Sequence, residues 1–238
     1  MKALGILILL MAAPAYVGAA ETSAKLDAVR IDLHNESSLQ RGARIFVNYC
    51  LSCHSAAYMR YNRVGRDLGI SDELIKANLM FASEKVGDLM TTTMPREQAK
   101  QWFGVAPPDL STIARVRNPS WLYTYLRGFY VDDAVPSGWN NVVFHNVAMP
   151  HVLHELQGVQ RAVFDESGNF QEFETEKPGV LSTAEFDAAM QDLTNFLVYL
   201  SEPAKLERYA MGFWVILFLI VLAALSYLLK KEYWRDIH

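Results

Sequence analysis

The sequence predicts a mainly α-helical domain with one small β-hairpin, exported across a membrane and held there by a single C-terminal helix. Three observations carry this expectation. Two helical stripes open on capping boxes, a uniformly apolar segment lies near the C-terminus, and a Cys-x-x-Cys-His motif sits at the end of the first stripe.

Export is written first. Lys2 supplies a positive charge, Leu4 to Ala13 is a short apolar stretch, and Gly18-Ala19-Ala20 has the small residues of a cleavage site. Residues 1–20 therefore read as a signal peptide removed after Ala20, with Pro14 and Gly18 breaking the helix before it. Ser37 to Gln40 reads as a capping box. Leu39, Ala43, Phe46, Cys50 and Cys53 then recur at steps of four and three, one helical face that carries both cysteines. Gly42 costs that helix about 1 kcal/mol relative to alanine, a cost that close approach of a second helix would offset. The second helix opens at the capping box Ser182 to Glu185. It repeats the same spacing through Phe186, Met190, Leu193, Leu197 and Leu200, and stops at Glu202-Pro203. The two are expected to cross near Gly42 as ordinary core packing.

Shorter helices are expected at Ser71 to Phe81, at Pro95 to Phe103 ahead of Gly104, and from Asn118-Pro119 to about Phe129. The turn Ser167-Gly168-Asn169 centres the hairpin. Val131 to Pro150 reads as loop. Tyr209 to Leu229 is almost wholly apolar and, at 1.5 Å per residue, about 30 Å long, enough to span a bilayer core. Aromatic residues cluster towards its ends, and Lys230, Lys231 and Arg235 follow it, which favours a cytoplasmic C-terminus although Lys205 and Arg208 soften the asymmetry. The expected organisation is a signal peptide at 1–20, a periplasmic domain at 21–204, a transmembrane anchor at 205–230 and a cytoplasmic tail at 231–238. The formal net charge of −4 argues against nucleic acid as a partner.

Cys50-Leu51-Ser52-Cys53-His54 is the attachment motif of a c-type haem. Each thiol can form a thioether to a vinyl group, and the adjacent histidine is placed to ligate the iron. A dithiol redox pair would want a βαβ setting, and a zinc site would want a second pair of ligands. The chain has two cysteines in all, and the motif uses both. An electron-transfer haem wants a second axial ligand, and the candidates are Met59, Met80, Met90, Met94 and Met149, with His145, His151 and His154 as nitrogen alternatives. Met149 is favoured because Pro150 stiffens a loop far along the chain from His54. Met94, also followed by proline, is the runner-up. The three histidines are expected to be solvent-facing or hydrogen-bonded loop residues.

Four blocks make the chain resemble the cytochrome c1 family, in its bacterial form. They are RGARIFVNYCLSCHS with MRY just after it, APPDLS at Ala106 to Ser111, WLYTYLRGFY, and NVAMPHV at Asn146 to Val152. The resemblance implies a class I cytochrome c-like haem domain with one covalently bound haem c. It implies Cys50 and Cys53 as attachment points, with His54 and Met149 as axial metal ligands. Pro107 and Pro108 would lie against the proximal side, where a carbonyl could accept the His54 Nδ1–H. Arg117, or alternatively Arg115, would pair with a propionate.

The implied function is single-electron transfer from a Rieske iron–sulfur protein to a soluble or membrane cytochrome c, within a dimeric complex that also contains cytochrome b. The chain would not be an enzyme by itself. It would sit in the bacterial inner membrane against lipid, with its haem domain in the periplasm. The main rival is another membrane-anchored monohaem cytochrome c serving a terminal oxidase. With two cysteines, the extra disulfide of some members has no counterpart here. The acidic stretches Asp132-Asp133 and Glu172-Glu174-Glu176 suit a basic partner but read first as solvated faces.

Overall fold

The computed structural model describes residues 25–236, so the signal-peptide reading of 1–20 lies outside the described residues. Helix α1 spans Glu36–Ile45. Its N-cap is Asn35, whose side chain accepts from the Ser38 N–H at 3.1 Å. The expected box at Ser37 is therefore corrected by two residues: Asn35 is an equally good acceptor, and the helix has already begun by Ser37. After Ile45 the helix widens into a π-turn, Phe46–Cys50, with the Leu51 N–H reaching back to Phe46 O at 3.0 Å. The extra residue per turn rotates the face, so Cys50 and Leu51 are both buried. The regular stripe expected through Cys53 does not persist. Cys53 stands in a tight turn whose Cys53 and His54 N–H groups both bond Cys50 O.

Helix α8, Thr183–Ser201, begins at the expected Ser182/Glu185 capping box. It crosses α1 at Gly42, where a Cβ would lie 2.2 Å from Asp192 O and 2.7 Å from Phe196 Cβ. The crossing also carries a polar contact. Asp192 accepts from the Ser38 hydroxyl at 2.6 Å and pairs with Arg41, while the Asn195 amide donates to Ser38 Oγ at 2.8 Å. Phe46, Phe196, Leu193 and Met190 fill the centre of the core between the two helices.

Strand β1 (Ala56–Arg60) follows the Cys-x-x-Cys-His turn and pairs antiparallel with β2 (Leu89–Met90). Between them lie helices α2 (Tyr61–Asp67) and α3 (Asp72–Asn78), the latter capped by Ser71. Helix α4 (Arg96–Phe103) ends on Gly104 in the left-handed region, φ +76°, as the Pro-to-Gly reading expects. A short helix α5 (Ile113–Val116) precedes α6 (Pro119–Arg127), which Asn118 caps through the Ser120 and Trp121 N–H groups. Strands β3 (Phe129–Val131) and β4 (Trp139–Asn141) form a ladder that joins the end of the expected α6 stretch to the segment read as loop, pairing Phe129 with Asn141 and Val131 with Trp139. The short helix α7 (His154–Gln157) leads into the expected hairpin, β5 (Gly158–Phe164) and β6 (Phe170–Pro178), with Gly168 at φ +80° in its turn.

Pro203 separates α8 from the last helix, α9 (Lys205–Tyr233), of 29 residues, within which an 18-residue stretch reaches a mean hydropathy of 2.6. At 1.5 Å per residue it is about 44 Å long, and its apolar core is the one segment among the described residues that is long and apolar enough to cross a membrane. None of its side chains is buried within the molecule, as a helix surrounded by lipid requires. The fold is thus mainly helical with small antiparallel hairpins and one C-terminal membrane helix, as expected.

Candidate functional site

A cavity of about 370 Å³ opens where the π-turn, the loop before α5, helix α6 and the β4–α7 loop meet. Cys50 lines it from the π-turn, Cys53 and His54 from the tight turn just after it, and Pro107 and Pro108 from the loop before α5. Arg117 guards the start of α6, Trp121 and Tyr125 project from it, and Met149 and Pro150 come from the β4–α7 loop. Leu193 and Leu197 of α8 contribute to an almost wholly apolar wall.

His54 is held by geometry. Its Nδ1 lies 2.8 Å from Pro108 O. A carbonyl oxygen only accepts, so Nδ1 carries the proton and Nε2 keeps a free lone pair. Burial pushes the imidazole below the ordinary histidine range, against the opposing pull of Pro108 O and Asp109, so the ring is neutral at pH 7. The loop supplying that carbonyl is tied to the chain just after the motif. Leu110 N–H donates to Ser55 O at 2.7 Å, Ala57 N–H to Asp109 Oδ2 at 3.0 Å, and Tyr58 N–H to Ser111 Oγ at 3.0 Å. Thr92 closes the other side through Ser52 O at 2.6 Å and Ser55 Oγ at 3.0 Å. Burial, then Cys53, push the Cys50 thiol up to about 12, so before any attachment it is a neutral thiol.

Of the methionine candidates, Met149 is at the cavity. Met59, Met80 and Met90 are core residues, and Met94 lies outside the lining. The Tyr125 hydroxyl donates to Met149 Sδ at 3.4 Å. His145 and His154 are exposed, and the His154 Nδ1 bonds His151 O at 2.9 Å. His151 departs from the expectation of a solvated or hydrogen-bonded loop residue. It is 2 % exposed, stacked on Phe129 at 4.9 Å and edge-on to Trp139 at 5.0 Å. Neither ring nitrogen has a hydrogen bond of normal geometry, although Gln157 faces the ring. Burial, then His154, push that imidazole down to about 3. The β3–β4 ladder sets Phe129, opposite Asn141, and Trp139, opposite Val131, on a diagonal, and His151 from the loop after it packs on both rings.

Arg117 lies at the cavity with its guanidinium 4.7 Å above the Trp121 ring. Arg115 does not line the cavity, and its charge acts on Glu202 instead. The acidic stretches differ from a free patch. Asp132 accepts from Asn140 Nδ2 at 2.8 Å, and Arg161 lies between Asp133 at 3.8 Å and Glu176 at 3.1 Å.

Sequence reasoning did not single out Trp121 or Tyr125. Their spacing of four on a proline-initiated helix was available, but nothing in it says which face meets the cavity. Taken together, the donors fit a covalently attached haem. There are two thiols at attachment spacing, an imidazole with a free Nε2, a thioether sulfur, a cation at the rim, and apolar walls.

The family model described as the Cytochrome C1 family matches residues 28–237. A cytochrome c1 of Allochromatium vinosum is 47 % identical over the whole of both chains. A protein of Nitrosomonas europaea named ammonia monooxygenase gamma subunit is 49 % identical, covering 98 % of this chain and 97 % of its own. The mitochondrial cytochrome c1 haem protein of Schizosaccharomyces pombe is 29 % identical, covering 85 % of this chain and 68 % of its own.

Proposed function

The chain belongs to the cytochrome c1 family, and on that premise we propose that its exported domain takes one electron at a time from a Rieske iron–sulfur protein and passes it to a cytochrome c. It is the haem subunit of a cytochrome bc1 complex, carries one covalently bound haem c, and acts in electron transfer. By itself it is not an enzyme; the oxidoreductase is the assembled complex with cytochrome b and the Rieske protein.

Cys50 and Cys53 would hold the haem covalently, and His54 Nε2 and Met149 Sδ would ligate its iron. Haem supplies a one-electron ferric/ferrous couple. The chain supplies rigidity and dryness. Pro108 O fixes the His54 tautomer and ring plane, so the proximal nitrogen cannot rotate away when the charge changes. Leu193, Leu197 and Trp121 keep water from the cavity, which favours the state of lower charge. Arg117 would pair with a propionate, whose burial without a cation would be costly. The observation that carries the reading is a single apolar cavity holding both His54, already oriented through Nδ1, and Met149.

Helix α9 anchors the domain in one pass. Its Lys230, Lys231 and Arg235 favour a cytoplasmic tail, and together with the export sequence they support a haem domain on the periplasmic side of a bacterial inner membrane. There α9 packs against the membrane helices of cytochrome b and the Rieske protein, and the complex is dimeric. The test is the rate at which added quinol reduces this haem in native membranes. Fast reduction abolished by an inhibitor of the quinol-oxidation site is expected. Slow or inhibitor-insensitive reduction would overturn the assignment and favour another assembly, such as the one named for the Nitrosomonas relative.

A further inference from the structure

We propose that Tyr125 is a positioning residue for the distal methionine, its hydroxyl occupying one lone pair of Met149 Sδ and so setting how strongly the other binds iron. The inference rests on Met149 being the distal ligand, and it adds a second residue that adjusts the redox balance of the site.

The geometry is specific. The Tyr125 hydroxyl lies 3.4 Å from Met149 Sδ, and only the hydroxyl has a proton to give. Its aim does not depend on chance rotation. The ring is stacked on Trp121 at 4.9 Å with 10° between planes, and Phe129 meets it edge-on at 5.1 Å. The backbone is fixed too, because Asn141 Nδ2 donates to Tyr125 O at 2.8 Å. Asn141 is the last residue of β4, from which the chain runs on into the Met149 loop. One structural unit therefore places donor and acceptor together. Burial raises the phenol above the ordinary tyrosine range, so it remains a neutral donor at any working pH.

A thioether sulfur has two lone pairs. An O–H on one of them draws electron density from the sulfur and weakens its donation through the other. Ferric iron, being the more electron-poor state, loses more by this than ferrous iron. The Tyr125 hydroxyl therefore favours the reduced state, which suits a subunit that must accept electrons readily.

The experiment is Tyr125→Phe in the intact complex, which removes one oxygen and keeps the stacked ring. Two readouts are needed: the reduced-to-oxidised ratio during a redox titration, and the near-red charge-transfer band of methionine-ligated ferric haem. The expected result is a three- to tenfold fall in that ratio at fixed ambient potential, about 30–60 mV at 59 mV per decade for one electron. The band should persist at a shifted position. Tyr123→Phe, on the same helix but with Arg127 rather than the cavity beside its ring, should leave both readouts unchanged. Loss of the band from Tyr125→Phe with haem still attached would show that the hydroxyl seats the sulfur, supporting the same placement. An unchanged titration with the band intact and unshifted would overturn the inference. Absence of the band from the unmodified protein would instead remove Met149 as ligand, a distinct failure.

Discussion

Gly42→Ala places two opposing effects on one atom. On an isolated helix the change is favourable by about 1 kcal/mol, because alanine restricts the unfolded chain. In the folded protein the new Cβ would lie 2.2 Å from Asp192 O and 2.7 Å from Phe196 Cβ. The first distance is roughly 1 Å short of ordinary contact, and a backbone oxygen inside α8 cannot rotate away. Helix α8 would have to retreat by about that much, carrying Leu193 and Leu197 off the haem cavity. Overpacking of this kind costs about 1–3 kcal/mol, and with unyielding backbone the upper end applies. The net loss is then about 1–2 kcal/mol, or about 2–8 °C in Tm at roughly 2–4 °C per kcal/mol for a domain of this size. The assay is thermal unfolding of the detergent-solubilised protein followed by far-UV circular dichroism. A Tm equal to or above the parent's would show that helix propensity outweighs the crossing, and the account of the α1–α8 packing would be wrong.

Met149→Ala should open a coordination position, so that the ferrous protein, inert to carbon monoxide before, binds it. An unchanged spectrum under carbon monoxide would remove Met149 from its role. Arg117→Leu should lower the haem potential by about 1 kcal/mol, roughly 40 mV, because a cation beside an electron-accepting centre favours the reduced state. Arg115→Leu, away from the cavity, should not, and equal shifts in the two variants would refute the choice between them. The Ser182 hydroxyl and N–H hold the Glu185 carboxylate below its usual range. That stabilisation is present above the unfolded carboxylate value and is lost as pH falls through the lower folded one. The Tm gap between parent and Glu185→Gln should accordingly be widest near neutrality and close in acid; a gap independent of pH would count against the capping box as drawn.

Much of this protein is legible locally. Cys50, Cys53 and His54 are adjacent in the chain, so their chemistry needs no fold to bring them together. The Ser182 cap, the Pro95-to-Gly104 helix and the apolar span of α9 act over one turn or along one helix, the range at which side-chain spacing is informative. Gly42 announced its partner because a glycine inside an amphipathic stripe has few other uses. The failures share a cause. The cap of α1 moved to Asn35 because two acceptors of similar strength stood two residues apart, and the π-turn at Phe46–Cys50 bent a stripe that spacing alone had drawn straight.

The β3–β4 ladder was invisible because three-residue strands carry too little alternation to stand out from a loop. That ladder matters most for the site. It seats Phe129 against Tyr125 and His151, and through Asn141 it ties α6 to the strand that feeds the Met149 loop. By itself the sequence determined the cofactor chemistry, the membrane anchor and the two principal helices, because these follow from neighbours in the chain. Only the tertiary structure brings Met149 and Arg117, and not Met94 or Arg115, to the cavity wall, and shows which tyrosine reaches the sulfur. Those choices depend on which distant segments close on one another, the sum of many weak contacts that no local spacing records.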